Sequence, residues 1–232
     1  MHLFITYHSS ISSLAYSLPK DKPKKTIAGV TVLDTPIIQD AKALALSTVD
    51  QTSFNHVMRS WLLGALVISK NDTLSAKLDH EAVALGIILH DLGLDEHPNS
   101  LITSKDRRFE VDAAIAARNF IRSHSDSKNW DERRVDLPLI AKYKQLEVQM
   151  VAMGYEMGEM GPGDGVSAKE HEAVLKEFPV LDFDEWTKKK LTWICTTKPA
   201  TTYDTWQQSF GETYVANYSA KGHRMTDHLA HK

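Results

Sequence analysis

The chain has 232 residues, 42% of them hydrophobic and 25% charged, and a formal net charge of -3 at pH 7. This composition predicts one compact domain whose core is large enough to fold without disulfides. The slightly acidic balance argues against nucleic acid as a partner. No apolar run approaches the ~20 residues needed to cross a bilayer, so no membrane partner is expected either.

The N-terminal part is predicted to be the least regular. Residues 19–25 are rich in proline and lysine, so we expect residues 1–25 to form a poorly ordered tail and linker and residues 26–232 to form the domain. The tail lacks the charged start and continuous apolar run of a signal peptide. Residues 26–33 have β-branched character but no evident partner strand, which predicts an extended lead-in.

Beyond this stretch the apolar spacing is helical, and the predicted class is all-α. Asp79 has the position of an N-cap, and Gly93 that of a C-terminal stop. Residues 157–165 (MGEMGPGDG) form a predicted loop that follows no strand, which argues against a phosphate-binding loop. One helix is predicted to begin near residue 106, with a buried face formed by Phe109, Ala113, Ala116 and Phe120. The other predicted helices cover residues 36–47, 53–68, 80–91, 141–153, 168–178, 183–196 and 203–218.

Cys195 is the only cysteine, so no disulfide can form within the chain. This favours a reducing, cytoplasmic setting. Because its neighbours are largely apolar and helical, we expect Cys195 to be a buried packing residue rather than a nucleophile.

The most informative residues for chemistry are His90 and Asp91, which end the helical segment 80–91. Ile87 and His90 share a helix face, so the doublet continues an apolar stripe toward the core. A buried carboxylate beside a buried imidazole is costly without partners, and one divalent cation satisfies both. His56 begins another apolar helical stretch and supplies a second imidazole. Spacing alone leaves open that each histidine is a hydrogen-bonded core residue.

Three motifs occur in order and resemble the HD superfamily, in particular the fungal cyanamide hydratase group: FNHVMRSWLLGALVI, LGIILHDLGL and RRFEVDAAIAARNFI. The later run FPVLDFDEWTKKKLTWICTTKPATTYDTW is also similar to that group, so the likeness spans roughly residues 25–222. It implies an HD-type helical bundle with one divalent metal held by His56, His90 and Asp91. Zinc is the first choice, with iron or manganese as alternatives.

The RRFEVD motif also implies a substrate pocket near Arg107, Arg108, Phe109 and Asp112. The residues themselves leave an alternative open. Phe109 would then belong to the core, and the charged side chains would cap the helix or pair on its surface.

The chain departs from the group in two places. In relatives, a helix whose histidine helps to build the site follows a segment like residues 131–137; here Pro138 follows at once, and no histidine lies between His124 and His171. A proline also interrupts any helix running straight through. The aspartate that many relatives carry before a Gly-Pro pair has no clear equivalent. The candidate replacements are Glu156, Glu159 and Asp164.

The resemblance implies an enzyme in which metal-activated water adds to a nitrile-type small molecule, as in a cyanamide hydratase. Two alternatives stay open. One is a metal-dependent phosphohydrolase in which Arg107 or Arg108 neutralises phosphate. The other is a catalytically impaired relative that lacks an internal ligand-bearing segment. The expected partner is a small-molecule substrate, and a homo-oligomer is not excluded.

Overall fold

The structure, a computed structural model, describes residues 22–136, 161–163 and 165–229. Within these ranges the chain is mostly helical and carries one two-stranded sheet. Among the described helices, none combines the length and the apolar character that a membrane crossing requires. The predicted helix at 141–153 lies outside the described residues, as do Pro138, Glu156, Glu159 and Asp164.

The two strands form an antiparallel hairpin. Strand β1 spans Lys24–Ile27 and strand β2 spans Val30–Leu33, with Lys24 opposite Leu33. The turn residues Ala28 and Gly29 both have positive φ, at 49° and 81°, which suits the tight turn of a two-residue hairpin.

The prediction of an unpaired lead-in at residues 26–33 is therefore wrong, and the fold is not strictly all-α. The partner strand begins at Lys24, inside the predicted linker. Lysines are common on exposed edge strands, so the charge that suggested a linker is equally suited to β1. Val30 and Val32 of β2 are buried in the core, and Thr31 between them is exposed.

The described residues form ten α-helices, of which those at residues 72–75, 132–136 and 225–229 were not predicted. The predictions at 36–47, 53–68, 168–178 and 183–196 agree with the structure to within two residues at each end. The helices are α1 Pro36–Thr48, α2 Gln51–Ser69, α3 Asp72–Ser75, α4 His80–Leu89, α5 Phe109–Ser123, α6 Glu132–Asp136, α7 Ala168–Glu177, α8 Phe183–Thr197, α9 Gln208–Tyr214 and α10 Met225–Leu229.

One helix prediction is much too long. Of residues 203–218 only Gln208–Tyr214 is α-helical. Asp204 and Asn217 adopt positive φ, at 56° and 66°, and this left-handed backbone is incompatible with a continuous helix. Of the predicted glycine-rich loop, residues 161–163 and 165 are described and lie outside helices and strands.

Side-chain caps fix where the helices that carry the site begin. The Asp79 carboxylate accepts hydrogen bonds from the backbone N–H groups of Glu81 and Ala82, which confirms it as the N-cap of α4. Asp50 caps α2 in the same way by accepting from the Ser53 N–H at 2.9 Å.

Helix α4 lies at the centre of the core. All of its residues from Glu81 to Leu89 are buried, as expected for a helix that is apolar on every side. The residues that follow its last turn, His90 and Asp91, therefore lie at the edge of the core, next to α2. The core also includes buried residues of the hairpin, α1, α2 and α5, among them Val32, Ile37, Ile38, Trp61, Leu62, Leu63, Ala113, Ala117 and Ile121.

A short 3₁₀ turn, Leu92–Leu94, follows the doublet and packs closely against α5. A Cβ atom added at Gly93 would lie only 1.9 Å from the Phe109 carbonyl oxygen, so only glycine permits this approach. Leu94 and Phe109 join Leu191 and Ile194 of α8 in a second apolar cluster. Cys195, next in α8, is buried and packs as predicted.

Candidate metal centre

The structure brings together His56, His90 and Asp91, the three predicted metal ligands. His90 Nε2 lies 3.3 Å from Asp91 Oδ1, and His56 Nε2 lies 3.9 Å from Asp91 Oδ2. One ligand atom from each residue lies within 4.8 Å of the other two. Ligand atoms bound to one zinc ion at ~2.1 Å lie roughly 3 to 4 Å apart. The group could therefore hold a metal ion after small side-chain adjustments.

The three residues differ in their access to solvent. His56 is 2% exposed and Asp91 6%, whereas the side chain of His90 is 25% exposed. A carboxylate removed from water is costly unless a cation or hydrogen-bond donors compensate it. The burial of Asp91 between two imidazoles is therefore compatible with a bound cation, and His90 is the most exposed of the three side chains.

A hydrogen bond sets the tautomer of His90. Its Nδ1 lies 2.7 Å from the Ile87 carbonyl oxygen. A carbonyl can only accept, so Nδ1 carries the proton and donates it. In the neutral ring, Nε2 then presents a lone pair to the Asp91 carboxylate. Two acceptors facing each other at this distance need a positive charge between them. This arrangement, with Nδ1 held by the backbone, is the usual one for a metal-ligating histidine.

The wall behind His56 is aromatic. The ring of His56 stacks on Phe183 of α8, with centroids 5.0 Å apart and an interplanar angle of 28°. Phe183 in turn stacks on Trp186 at 5.1 Å and 21°. The ring of His90 meets His56 edge-on at 5.4 Å. One face of His56 is thus shielded from water and held in orientation by α8.

Phe183 and Trp186 were not predicted from the sequence as site residues. With Lys190 they recur at positions i, i+3 and i+7, which lie on one face of a helix. This periodicity is a detectable signal, but it indicates only a buried face. It does not show that this face contacts His56, which belongs to a helix far away in the sequence.

Asp112, a predicted substrate-pocket residue, is fully buried in a polar cluster. It accepts hydrogen bonds from the Ser104 N–H, the Arg107 side chain and the buried Lys198, each at 2.9 Å. Burial alone would raise the pKa of this carboxyl, but these donors outweigh it and hold the pKa below its usual value. Asp112 therefore links α5 to the end of α8.

The remaining predicted pocket residues also have structural contacts. Phe109 packs in the second apolar cluster, and Arg108 pairs with Glu110 at 3.0 Å on the surface. The Phe109 carbonyl contacts Gly93, two residues after Asp91. The RRFEVD motif thus lies against the segment that follows the metal-ligand group, and its role in substrate binding stays a prediction.

No family model matches the chain, and no curated protein matches it. The resemblance to the HD superfamily therefore stays a prediction, while the His56–His90–Asp91 group stands on its geometry.

Proposed function

We propose that this chain is a metal-dependent enzyme whose His56, His90 and Asp91 hold one divalent cation, with zinc as the first choice and iron or manganese as alternatives. The observation that carries the proposal is the lone pair of His90 Nε2, fixed by the Ile87 carbonyl and facing Asp91 Oδ1 at 3.3 Å. A proton or a metal ion between these two atoms would remove the repulsion between them. The imidazole of His56, as a further ligand, favours the metal.

The proposed reaction is the addition of water to a nitrile-type small molecule, as in a cyanamide hydratase. A divalent cation held by these residues would supply Lewis-acid chemistry, lowering the pKa of water to about 7 and polarising the substrate. The protein contributes the three ligands and a dry aromatic wall of Phe183 and Trp186 behind His56. His90, with a quarter of its side chain exposed, is the ligand nearest to solvent.

Support for the hydratase reaction comes from the sequence resemblance, and the contacts of two arginines weigh against the phosphohydrolase alternative. Arg107 Nε donates to Asp112 at 2.9 Å, and Arg108 Nη2 pairs with Glu110 at 3.0 Å. Both guanidinium groups already share their charge with a carboxylate, which weakens each of them as a phosphate-binding group. The impaired-relative alternative predicts loss of metal binding, which is directly measurable.

The test is metal content followed by substrate turnover. Purified protein is dialysed against zinc, iron(II) or manganese(II), and bound metal is measured by mass spectrometry; we expect one ion per chain. The loaded protein is then incubated with cyanamide, with urea as the readout, and with a nucleotide panel, with phosphate as the readout. Urea formation supports the hydratase. Phosphate release alone would replace it by the phosphohydrolase, and a chain that retains no metal would overturn the proposal.

A further inference from the structure

Lys190 of α8 is a buried cation with no role in the proposed chemistry so far. It is only 4% exposed. Its Nζ lies 2.9 Å from Asp50 Oδ2, 3.3 Å from Glu96 Oε1 and 3.5 Å from the Leu94 carbonyl oxygen. The carboxylates of Asp50 and Glu96 pair with its charge, and the Leu94 carbonyl accepts a hydrogen bond from it.

The partners of Lys190 belong to the two chain segments that carry the metal ligands. Asp50 is the N-cap of α2, the helix that carries His56. Leu94 and Glu96 belong to the segment that begins just after Asp91. A single ammonium group thus connects the start of α2 to this segment.

The carboxylate of Asp50 is ionised, as this contact requires. Burial by itself would raise its pKa, but the Ser53 N–H, Lys190 and the indole N–H of Trp186 all stabilise the charged form and lower the pKa. Trp186 donates to Asp50 Oδ2 at 2.9 Å. Asp50 is therefore held by two residues of α8, one of which also stacks on Phe183 behind His56.

We propose that Lys190 is a positioning residue for the metal centre: its ammonium group holds the N-terminus of α2 against the segment after Asp91 and so sets the distance between His56 and Asp91. The inference rests on the proposed metal site. It goes beyond it because Lys190 is not one of the proposed ligands and acts through Asp50, Leu94 and Glu96.

A purely structural role for a buried lysine is the competing explanation, and the chain contains a matched control. Lys198, at the end of the same helix, is 3% exposed and also pairs with a carboxylate, Asp112, at 2.9 Å. Asp112 belongs to α5, which carries none of the proposed ligands. Lys190→Met removes the ion pairs with Asp50 and Glu96, which connect α2 to the segment after Asp91. Lys198→Met removes the ion pair with Asp112 and leaves that connection in place.

The experiment measures zinc affinity by chelator competition, beside the thermal unfolding of the metal-free proteins. We expect Lys190→Met to weaken zinc binding by about 10- to 100-fold, the usual effect of removing a group that orients metal ligands. Lys198→Met should lower the unfolding temperature and leave the zinc affinity unchanged. Lys190→Arg keeps the charge and should restore part of the affinity. Cobalt(II) spectra give a second readout, since a changed ligand geometry alters the visible absorption bands of Lys190→Met alone.

Asp50→Ser serves if Lys190→Met does not fold. Serine preserves the N-cap of α2 but removes the carboxylate that holds Lys190, and Asp50 is partly exposed, so the chain should tolerate the change. We expect weaker zinc binding here too. If wild-type protein binds no zinc, the proposed function fails. If wild-type protein binds zinc and the variants at positions 190 and 50 bind it equally well, or no worse than Lys198→Met, the positioning role of Lys190 is overturned.

Discussion

The imidazole of His56 stacks on the phenyl ring of Phe183, with ring centroids 5.0 Å apart. The first ring belongs to α2 and the second to α8, so the proposed metal site depends on the docking of two helices that are distant in sequence. Removing Phe183 would leave one face of His56 beside a cavity, and the ring could then rotate away from Asp91.

Phe183→Ala should therefore both destabilise the protein and weaken metal binding. Loss of a buried phenyl ring costs about 3 to 5 kcal/mol of unfolding free energy. The matched control is Phe120→Ala on α5, which packs against the main core and touches the ring of His124 rather than a proposed ligand. Urea denaturation and zinc affinity are measured for both variants. Equal zinc affinity in the two would show that the stacking does not orient His56.

Single substitutions of the ligands should abolish stable metal binding. His56→Ala, His90→Ala and Asp91→Ala each remove one of three donor groups and leave the others without their shared partner. We expect the metal content after dialysis to fall to the background of the buffer. His124→Ala is the control, because His124 pairs with Asp40 outside this group. Metal content as high in the three variants as in the control would refute the ligand assignment.

Metal should also stabilise the folded chain, and this effect should disappear in the ligand variants. An ion that binds only the folded state raises the unfolding free energy by about 2.7 kcal/mol at 100 times its Kd. We expect added zinc to raise the unfolding temperature of wild-type protein, and a chelator to reverse the rise. Differential scanning calorimetry measures the unfolding temperature of wild type and of Asp91→Ala, with and without zinc. An equal rise of the unfolding temperature in both proteins would indicate that zinc binds elsewhere.

Gly93→Ala should disturb the site through the backbone. The new methyl group would lie 1.9 Å from the Phe109 carbonyl oxygen, so the 3₁₀ turn must move away from α5 and shift Asp91 with it. Overpacking of this kind costs about 1 to 3 kcal/mol. Gly163→Ala is the control, since its new methyl group would meet no other described residue within 4 Å and its φ is not positive. We expect lower stability and metal content only in the first variant.

The buried pair of Asp112 and Lys198 should make stability depend on acid pH. The pKa of Asp112 is lower in the folded protein than in the unfolded chain. Its contribution is therefore complete above the unfolded value of about 4 and is lost as the pH falls through the folded value. Asp112→Asn should remove this contribution, and leaving Lys198 buried and unpaired costs about 3 to 5 kcal/mol near neutral pH.

Urea denaturation between neutral and acid pH measures this effect. The difference in unfolding free energy between wild type and Asp112→Asn should shrink as the pH falls. Glu110→Gln removes the charge of the surface pair with Arg108 and leaves an amide oxygen to accept from the Gln207 side chain, so it should cost about 1 kcal/mol or less at any pH. A difference for Asp112→Asn that stays constant into the acid range would show that its charge is not the cause.

Local sequence patterns predict a large part of this fold and of its ligand group. The apolar spacing predicts α1, α2, α7 and α8 because helical periodicity is encoded within a few residues. The His90–Asp91 doublet is predicted to face inward for the same reason, and both side chains meet His56 as expected.

Local sequence patterns do not predict the features that depend on contacts between residues far apart in the chain. The lysines of β1 suggest a linker until Val30 and Val32 supply the paired strand. Lys190 is the last of three consecutive lysines, a pattern that predicts an exposed helix face. Its burial depends on Asp50 and Glu96, which lie far away in sequence. Asp204 and Asn217 end a predicted helix through their backbone conformation, which an apolar pattern does not encode.

The hydrogen bonds that join α2 to Pro179, shortly before α8, have a consequence for biosynthesis. The Asn55 side chain and buried Arg59 both donate to the carbonyl of Pro179, more than a hundred positions later. During translation all three proposed metal ligands leave the ribosome before Pro179 and Phe183 do. Closing so long a chain segment is entropically costly and slow. While the chain is being made, His56 therefore lacks the Phe183 ring that shields it in the folded protein, and the proposed site is complete only after residues 179 and 183 have been added.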